Sequence, residues 1–249
     1  MFKKPISLWS LVLLCLGIFT SFSAGAAEGN MNAVKSPDPL VLAETLNEEL
    51  NLDSLGLQMP ALEYAVTGYE NLLSKGLVDN PRYLTIVDYS QALYSRRFYL
   101  LDVERHELVL NTYVMHGRNS GGMMAETFSN TPNSNQSSIG FYLTGATYYG
   151  SRGYSLRLHG QEEEFNSNAL ARGVVLHGSS YINEERVAAG RVERSLGCPA
   201  IPAAQSPAVI DKIRGGSVMF VYHPSMNYLA RSTVLNMNHQ LPSTSTAVN

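Results

Sequence analysis

The chain has 249 residues, 45% of them apolar, with 18 basic against 21 acidic side chains and a net charge of −3. That balance lacks the basic footprint that a nucleic-acid backbone or an anionic membrane surface requires, so neither is expected as a partner. The only cysteines are Cys15 and Cys198, which leaves a folded domain without an internal disulfide if the first belongs to a leader.

The amino terminus reads as such a leader. Lys3 and Lys4 precede an apolar stretch from Ile6 to Phe19, and the small residues Ala24, Gly25, Ala26 and Ala27 follow, the pattern of a secretory signal peptide cleaved after Ala26. The stretch is shorter than the roughly 20 residues of a spanning helix and has no successor, so the expectation is an exported protein of the periplasm or cell envelope without a stable membrane anchor. A lipid anchor on Cys15 is disfavoured by Leu14, which stands where a small residue is needed. The remainder suffices for one well-buried domain, and a monomer is expected.

Asp38 and Pro39 read as the cap and first position of a helix running to about Leu50. A second helix starts at Pro60, repeats Leu62, Ala65, Val66, Tyr69, Leu72 and Leu73 at helical spacing, and stops at Gly76. From Tyr83 the period becomes that of strands: Tyr83 to Tyr89, Phe98 to Leu101, Leu108 to Val114, Ile139 to Thr144, Ser155 to Leu158, Val174 to His177 and Ser217 to Tyr222. One helix interrupts them, with Ser206 as cap, Pro207 in its first turn, an apolar face of Val209, Ile210 and Ile213, and Gly215 at its end; it is expected to cover one face of the sheet. The Ser-, Thr- and Asn-rich tail has no periodicity and reads as disordered. The expected divisions are 1–26 leader, 27–80 helical lead-in, 81–228 mainly β domain and 229–249 tail.

The chemistry concentrates between Gly173 and Pro202. His177 ends an apolar strand, and 21 residues later Gly197 lets the chain turn sharply and present Cys198. A thiol nucleophile needs a base for its proton, and a neighbouring imidazolium lowers a thiol's pKa from about 8.5. The amides of Leu196, Gly197 and Cys198 are candidate oxyanion donors, and the Ser195 hydroxyl steadies the turn or the imidazole. The competing readings are a buried packing thiol with a structural histidine, and a zinc site of Cys198, His177 and His159. No paired-ligand spacing supports the zinc site, so neither metal nor cofactor is expected. The remaining histidines, 106, 116, 223 and 239, read as structural.

His177 and Gly178 followed by the Ser195, Gly197, Cys198 turn resemble the L,D-transpeptidase catalytic domain, the YkuD-like family that remodels bacterial peptidoglycan. The stretches FSNTPNSNQSSIGFY (128–142), YSLRLHG (154–160), VLHGSSY (175–181) and RSLGCPAIP (194–202) resemble its divergent murein branch, over roughly Tyr83 to Tyr228. The resemblance implies a twisted β-sandwich or barrel-like domain with the cysteine at one end of a cleft, and peptidoglycan stem peptides as partners. It further implies Cys198 as the nucleophile that expels a terminal D-Ala, His177 as the base, and the Gly178 carbonyl as its orienter. Tyr181 is expected to wall the groove or to be half-buried packing, and His159, on a second apolar strand ending His-Gly that is expected beside that of His177, reads as a partner of His177 or as structural. The better-known branch places an Arg two residues after the cysteine, where this chain has Ala200; Arg194 is the favoured substitute, with Arg191 and Arg172 as alternatives. Resolution of the thioester by water instead of an amine makes the same site a carboxypeptidase or endopeptidase, and a non-catalytic wall-binding module is the third reading. The polar stretch Phe128 to Ser138 reads as a substrate-facing lid or a solvated loop.

Overall fold

The computed structural model describes residues 38–237, so the expected leader lies outside the described residues. α1 (Pro39–Leu50) begins as its sequence requires: the Asp38 carboxylate accepts from Leu40 N–H at 3.0 Å, and Pro39, with no N–H to leave unpaired, opens the helix. α2 (Met59–Ser74) ends where Gly76, at φ +67°, turns the chain and donates its N–H to the Leu73 carbonyl. Leu62, Ala65, Val66 and Leu72 of α2 are fully buried, and burying each of the larger of these side chains is worth about 1.5–3 kcal/mol.

The strands are β1 (Tyr83–Asp88), β2 (Phe98–Asp102), β3 (Glu107–Thr112), β4 (Gly140–Gly150), β5 (Gly153–Gly160), β6 (Val175–Ser179), β7 (Ala200–Pro202) and β8 (Val218–Tyr222). They form one sheet in the order β3-β2-β1-β8-β4-β5-β6-β7. β1, β2 and β8 are buried at every position, as their predominantly apolar runs predict, with Thr85, Asp88 and Asp102 buried among them. The sheet curls until its ends meet: Met115, just past β3, bridges Ala200 of β7, with Met115 N–H donating to the Ala200 carbonyl at 2.8 Å. The result is a nearly closed, barrel-like sheet with little free edge.

α4 (Ser206–Ile213) packs on β5 and β6, and its Val209, Ile210 and Ile213 join the same apolar core as Leu156, Leu158 and Leu176. Ser206 is not its cap. Gln205 holds that position without a side-chain bond, and Ser206 is drawn inward, where its hydroxyl donates to the Ala203 carbonyl at 3.3 Å. Three short elements escaped the sequence reading: β7, α3 (Glu184–Ala188) and α5 (Met226–Arg231). Three to six residues carry too little periodicity to register.

The disordered tail expected from 229 is corrected up to residue 237. α5 is capped by Ser225, and Val234 is fully buried. Asn71 of α2 donates to the Val234 carbonyl at 2.9 Å. The buried Glu162 carboxylate gathers the Tyr228 hydroxyl at 2.9 Å, the Phe141 N–H at 2.8 Å and the Ser232 hydroxyl. The segment is ordered here because Val234 and Leu235 join the apolar core and the Ser232 hydroxyl reaches the buried Glu162 carboxyl group. Among the described residues no helix is long and apolar enough to cross a membrane.

α2 reaches the sheet through Gly68. A Cβ on that residue would lie 2.0 Å from Cζ of Phe141, whose ring stacks on Phe220 at 4.1 Å. Gly68→Ala is therefore expected to destabilise the protein by about 1–3 kcal/mol through overpacking, despite the roughly 1 kcal/mol that alanine gains in a helix interior. Urea unfolding of the two proteins checks this, and an unchanged or raised midpoint contradicts the close approach.

Candidate active site

β6 and β7 run parallel with His177 opposite Ala200. Two residues back along each chain, Val175 faces Cys198, and its N–H approaches the Cys198 sulfur at 3.5 Å. Thiol and imidazole are thus diagonal neighbours on adjoining segments. The turn that delivers the sulfur needs glycine at 197 on two counts: its φ is +122°, and a Cβ there would lie 2.8 Å from the Gln136 carbonyl oxygen. The Ser195 hydroxyl braces this turn, donating to the Cys198 carbonyl at 2.6 Å and accepting from Gly197 N–H at 3.0 Å. Of the three amides considered as oxyanion donors, that of Gly197 is thereby occupied; those of Leu196 and Cys198 donate to no described backbone or side-chain group.

The His177 ring is oriented by the carbonyl of Gly178, 2.8 Å from Nδ1. A carbonyl only accepts, so Nδ1 carries the hydrogen and the neutral ring keeps its lone pair on Nε2. Gly178 is itself wedged, since a Cβ on it would lie 2.3 Å from the Ser206 hydroxyl oxygen.

Burial sets the protonation of both groups. It pushes the Cys198 thiol up, an effect that the Val175 N–H and the Arg152 and Arg172 guanidinia oppose. It pushes His177 down, against the Gly178 hydrogen bond and with help from the Arg152 cation. The expected imidazolium that would lower the thiol's pKa is therefore not the resting state: near neutral pH the pair is a thiol beside a neutral imidazole, because two buried charges cost more than two buried dipoles.

Cys198, His177, Ser195, Tyr181 and Arg194 line one cavity of about 480 Å3. Tyr181 forms part of its wall, 46% exposed, with the Arg186 guanidinium 5.1 Å from its ring centre. Arg194 anchors to the Gly121 carbonyl at 2.9 Å. Arg118 and Arg152 also line the cavity, so three arginines face a single acid, Glu193. The sequence reading missed Arg118 and Arg152, which lie in exposed turns outside the cysteine segment. Ala200 is fully buried beside Tyr113, Met115 and Ile182, so an arginine side chain at that position would have no solvent to reach.

His159 is not part of this site. β5 and β6 are neighbours as expected, but Ser155 faces His177, and His159 lies four residues further along. It lines a separate cavity of about 820 Å3 with Leu77, Asp79 and Arg214. The zinc alternative loses its third ligand, and among the described residues no group of three or more His, Cys, Asp or Glu is placed to hold a metal ion.

The segment Phe128 to Ser138 is neither a lid over the cavity nor a loose loop. Arg172 clamps it, donating to the Gln136 carbonyl at 2.8 Å, the Ser129 carbonyl at 2.6 Å and the Ser134 hydroxyl at 3.0 Å. Ser137 in turn donates to the Gly197 carbonyl at 3.2 Å. Arg172 thus sits behind the cysteine turn and outside the cavity, and Arg191 is not among the lining residues.

The sequence model of the L,D-transpeptidase catalytic domain matches residues 54–222, a stretch that takes in α2 as well as the eight strands. The chain belongs to that family. A comparison with curated proteins finds no match. Similar solved structures include an L,D-transpeptidase from Mycobacterium smegmatis, at 12% identity and TM-score 0.36, covering 57% of this chain and 59% of that one. Another is an L,D-transpeptidase from Xylanimonas cellulosilytica, at 18% identity and TM-score 0.33, covering 75% and 93%. The chain thus spans about three-fifths of the length of the first of these relatives.

The electrostatics make a testable statement. The rate of Cys198 alkylation by iodoacetamide is expected to rise with a midpoint above the ordinary thiol value of about 8.5, because burial disfavours the thiolate. Arg152→Gln removes a cation that favours the thiolate, and so moves the midpoint higher still. A wild-type midpoint below the ordinary value contradicts the neutral resting pair.

Proposed function

We propose that the protein is a cysteine-dependent peptidoglycan L,D-transpeptidase that passes an acyl group from a tetrapeptide stem, through a Cys198 thioester, to an amine acceptor. The observation that carries this reading is the shared cavity of Cys198 and His177, with Nδ1 of the imidazole held by the Gly178 carbonyl and Nε2 left as a base. Because the resting pair is neutral, the proton moves as the bond forms. His177 takes the thiol hydrogen while sulfur attacks the carbonyl carbon of the third stem residue. Collapse of the tetrahedral intermediate breaks the amide bond to D-Ala, whose nitrogen leaves with the proton returned by the imidazolium. The amine of a second stem then yields a proton to His177, attacks the thioester and forms a 3-3 crosslink, and the departing sulfur recovers the hydrogen.

The amides of Leu196 and Cys198 are the donors for the developing oxyanion. The cationic lining from Arg118, Arg152 and Arg194 suits a donor that carries carboxylates, as a stem peptide does. Ser195 and Gly197 act through the shape of the turn, and Tyr181 and Arg194 through the walls that hold the stem. The leader at 1–26 directs the enzyme to the cell envelope, where its substrate lies.

Cys198→Ala is expected to abolish the acyl adduct with a tetrapeptide stem while leaving the circular dichroism spectrum unchanged. His177→Ala is expected to slow acylation by about 10²-fold or more, the scale of a lost general base. Mass spectrometry of purified muropeptides incubated with the mature protein reads the outcome. A crosslinked dimer supports transfer, loss of one D-Ala alone assigns a hydrolase, and turnover by Cys198→Ala removes the thiol from the mechanism.

A further inference from the structure

Arg97 is fully buried, yet among the described residues no carboxylate lies within ion-pair distance of its guanidinium. Its donors go to neutral acceptors: Nε and Nη2 to the Val114 carbonyl at 3.2 and 3.0 Å, Nη1 to the Gln91 carbonyl at 2.8 Å, and Nη2 to Nδ1 of His116 at 2.7 Å. Its flat face lies 4.8 Å from the centre of the Tyr89 ring, whose hydroxyl donates to the Met115 carbonyl at 3.0 Å. Burial pushes the guanidinium down and outweighs the buried Asp88 carboxylate, which favours the charge without an ion-pair contact, and packing alone would be served better by methionine or leucine.

The second partner, His116, is also fully buried. Since Nδ1 accepts from Arg97, the ring hydrogen is on Nε2, which points at the Gly121 carbonyl 3.4 Å away. Burial and the adjacent guanidinium push His116 down to about 4, so the imidazole stays a neutral acceptor for Arg97 across the physiological range. The backbone around it carries the cavity. Ser195 N–H donates to the His116 carbonyl at 2.8 Å, and Arg118 N–H donates to the Ser195 carbonyl at 2.8 Å. The Gly121 carbonyl that faces His116 also accepts from Arg194. One buried pair is thus tied to both the cysteine turn and the arginine wall across from it.

We propose that Arg97 and His116 are positioning residues of the cysteine centre, which lock residues 114–118 so that the Ser195–Cys198 turn and the Gly121–Arg194 wall keep their mutual spacing. The proposal rests on the acyl-transfer reading above. Neither side chain lines the cavity. They act through backbone carbonyls, which makes the pair a support for the reacting atoms and not a party to the proton transfer.

The test compares His116→Phe, which keeps an aromatic ring but neither hydrogen bond, with His116→Gln, whose amide accepts and donates as the imidazole does. Acylation by a tetrapeptide stem and the pH midpoint of Cys198 alkylation are measured on protein shown to be folded by its thermal melt. His116→Phe is expected to lose about 30-fold or more in kcat with KM little changed, the signature of misplaced reacting groups. Its alkylation midpoint is expected to fall towards the ordinary thiol range as the turn loosens and admits water, and His116→Gln is expected to restore both. A folded His116→Phe with wild-type kcat and midpoint overturns the proposal, as does a lower melting temperature accompanied by neither change. If His116→Phe does not fold, Arg97→Lys, which keeps the charge but not the fork of donors, is read by the same two outcomes. Should the wild-type protein acylate no stem, the failure belongs to the proposed reaction, and the alkylation midpoints alone decide the positioning role.

Discussion

Ala200 is the joint on which this molecule turns. On one side it pairs with His177 of β6, and on the other its carbonyl accepts from Met115, so a single residue closes the curled sheet and sets the cysteine segment beside that of His177. Cys198 lies two residues before this joint and His177 directly across it, and the Ser195 hydroxyl stiffens the turn that leads into Cys198. If the sheet stayed open at this edge, the thiol would be carried beside an outer strand held by β6 alone. Closure instead sets the thiol and the imidazole on adjoining segments that line one cavity.

Charge is handled by the same economy of space. The thiol and the imidazole are each pushed towards their neutral forms by burial, while guanidinia gathered around them favour the thiolate without touching it. A site built this way rests with its thiol protonated and keeps its cations at the cavity wall. Arg172 shows how such a group can serve two ends. Its hydrogen bonds tie the 128–138 segment behind the turn, and its charge bears on the sulfur.

Much of this was legible in the chain. The Asp38–Pro39 start of α1, the Gly76 end of α2 and the seven longer strands follow from capping chemistry and from the spacing of apolar residues, both of which act over a few neighbouring positions. Cys198 and His177, picked out together because nucleophile chemistry would need those residue types in that order, do line one cavity. β7, α3 and α5 were not legible, since each is too short to impose a period. Residues 229–237 read as disorder because their few apolar residues keep no period, and neither the core that takes Val234 and Leu235 nor the Glu162 that meets Ser232 is visible locally. His159 misled for a related reason: its strand does lie beside that of His177, but the register that separates the two rings is set by pairing across strands and not by local sequence.

The sequence by itself determined the longer elements and the family to which the chain belongs, and it singled out Cys198 and His177 as candidates, because each depends on residue type and short-range spacing. Only the tertiary structure decided that Arg118 and Arg152 share the cavity with Arg194, that Gly197 N–H belongs to Ser195, and that Arg97 and His116 stand behind the turn. Those facts arise where segments distant in the chain come into contact. No local pattern encodes them, because the curling of the sheet and the exclusion of water from its interior create those environments only once the whole domain has folded.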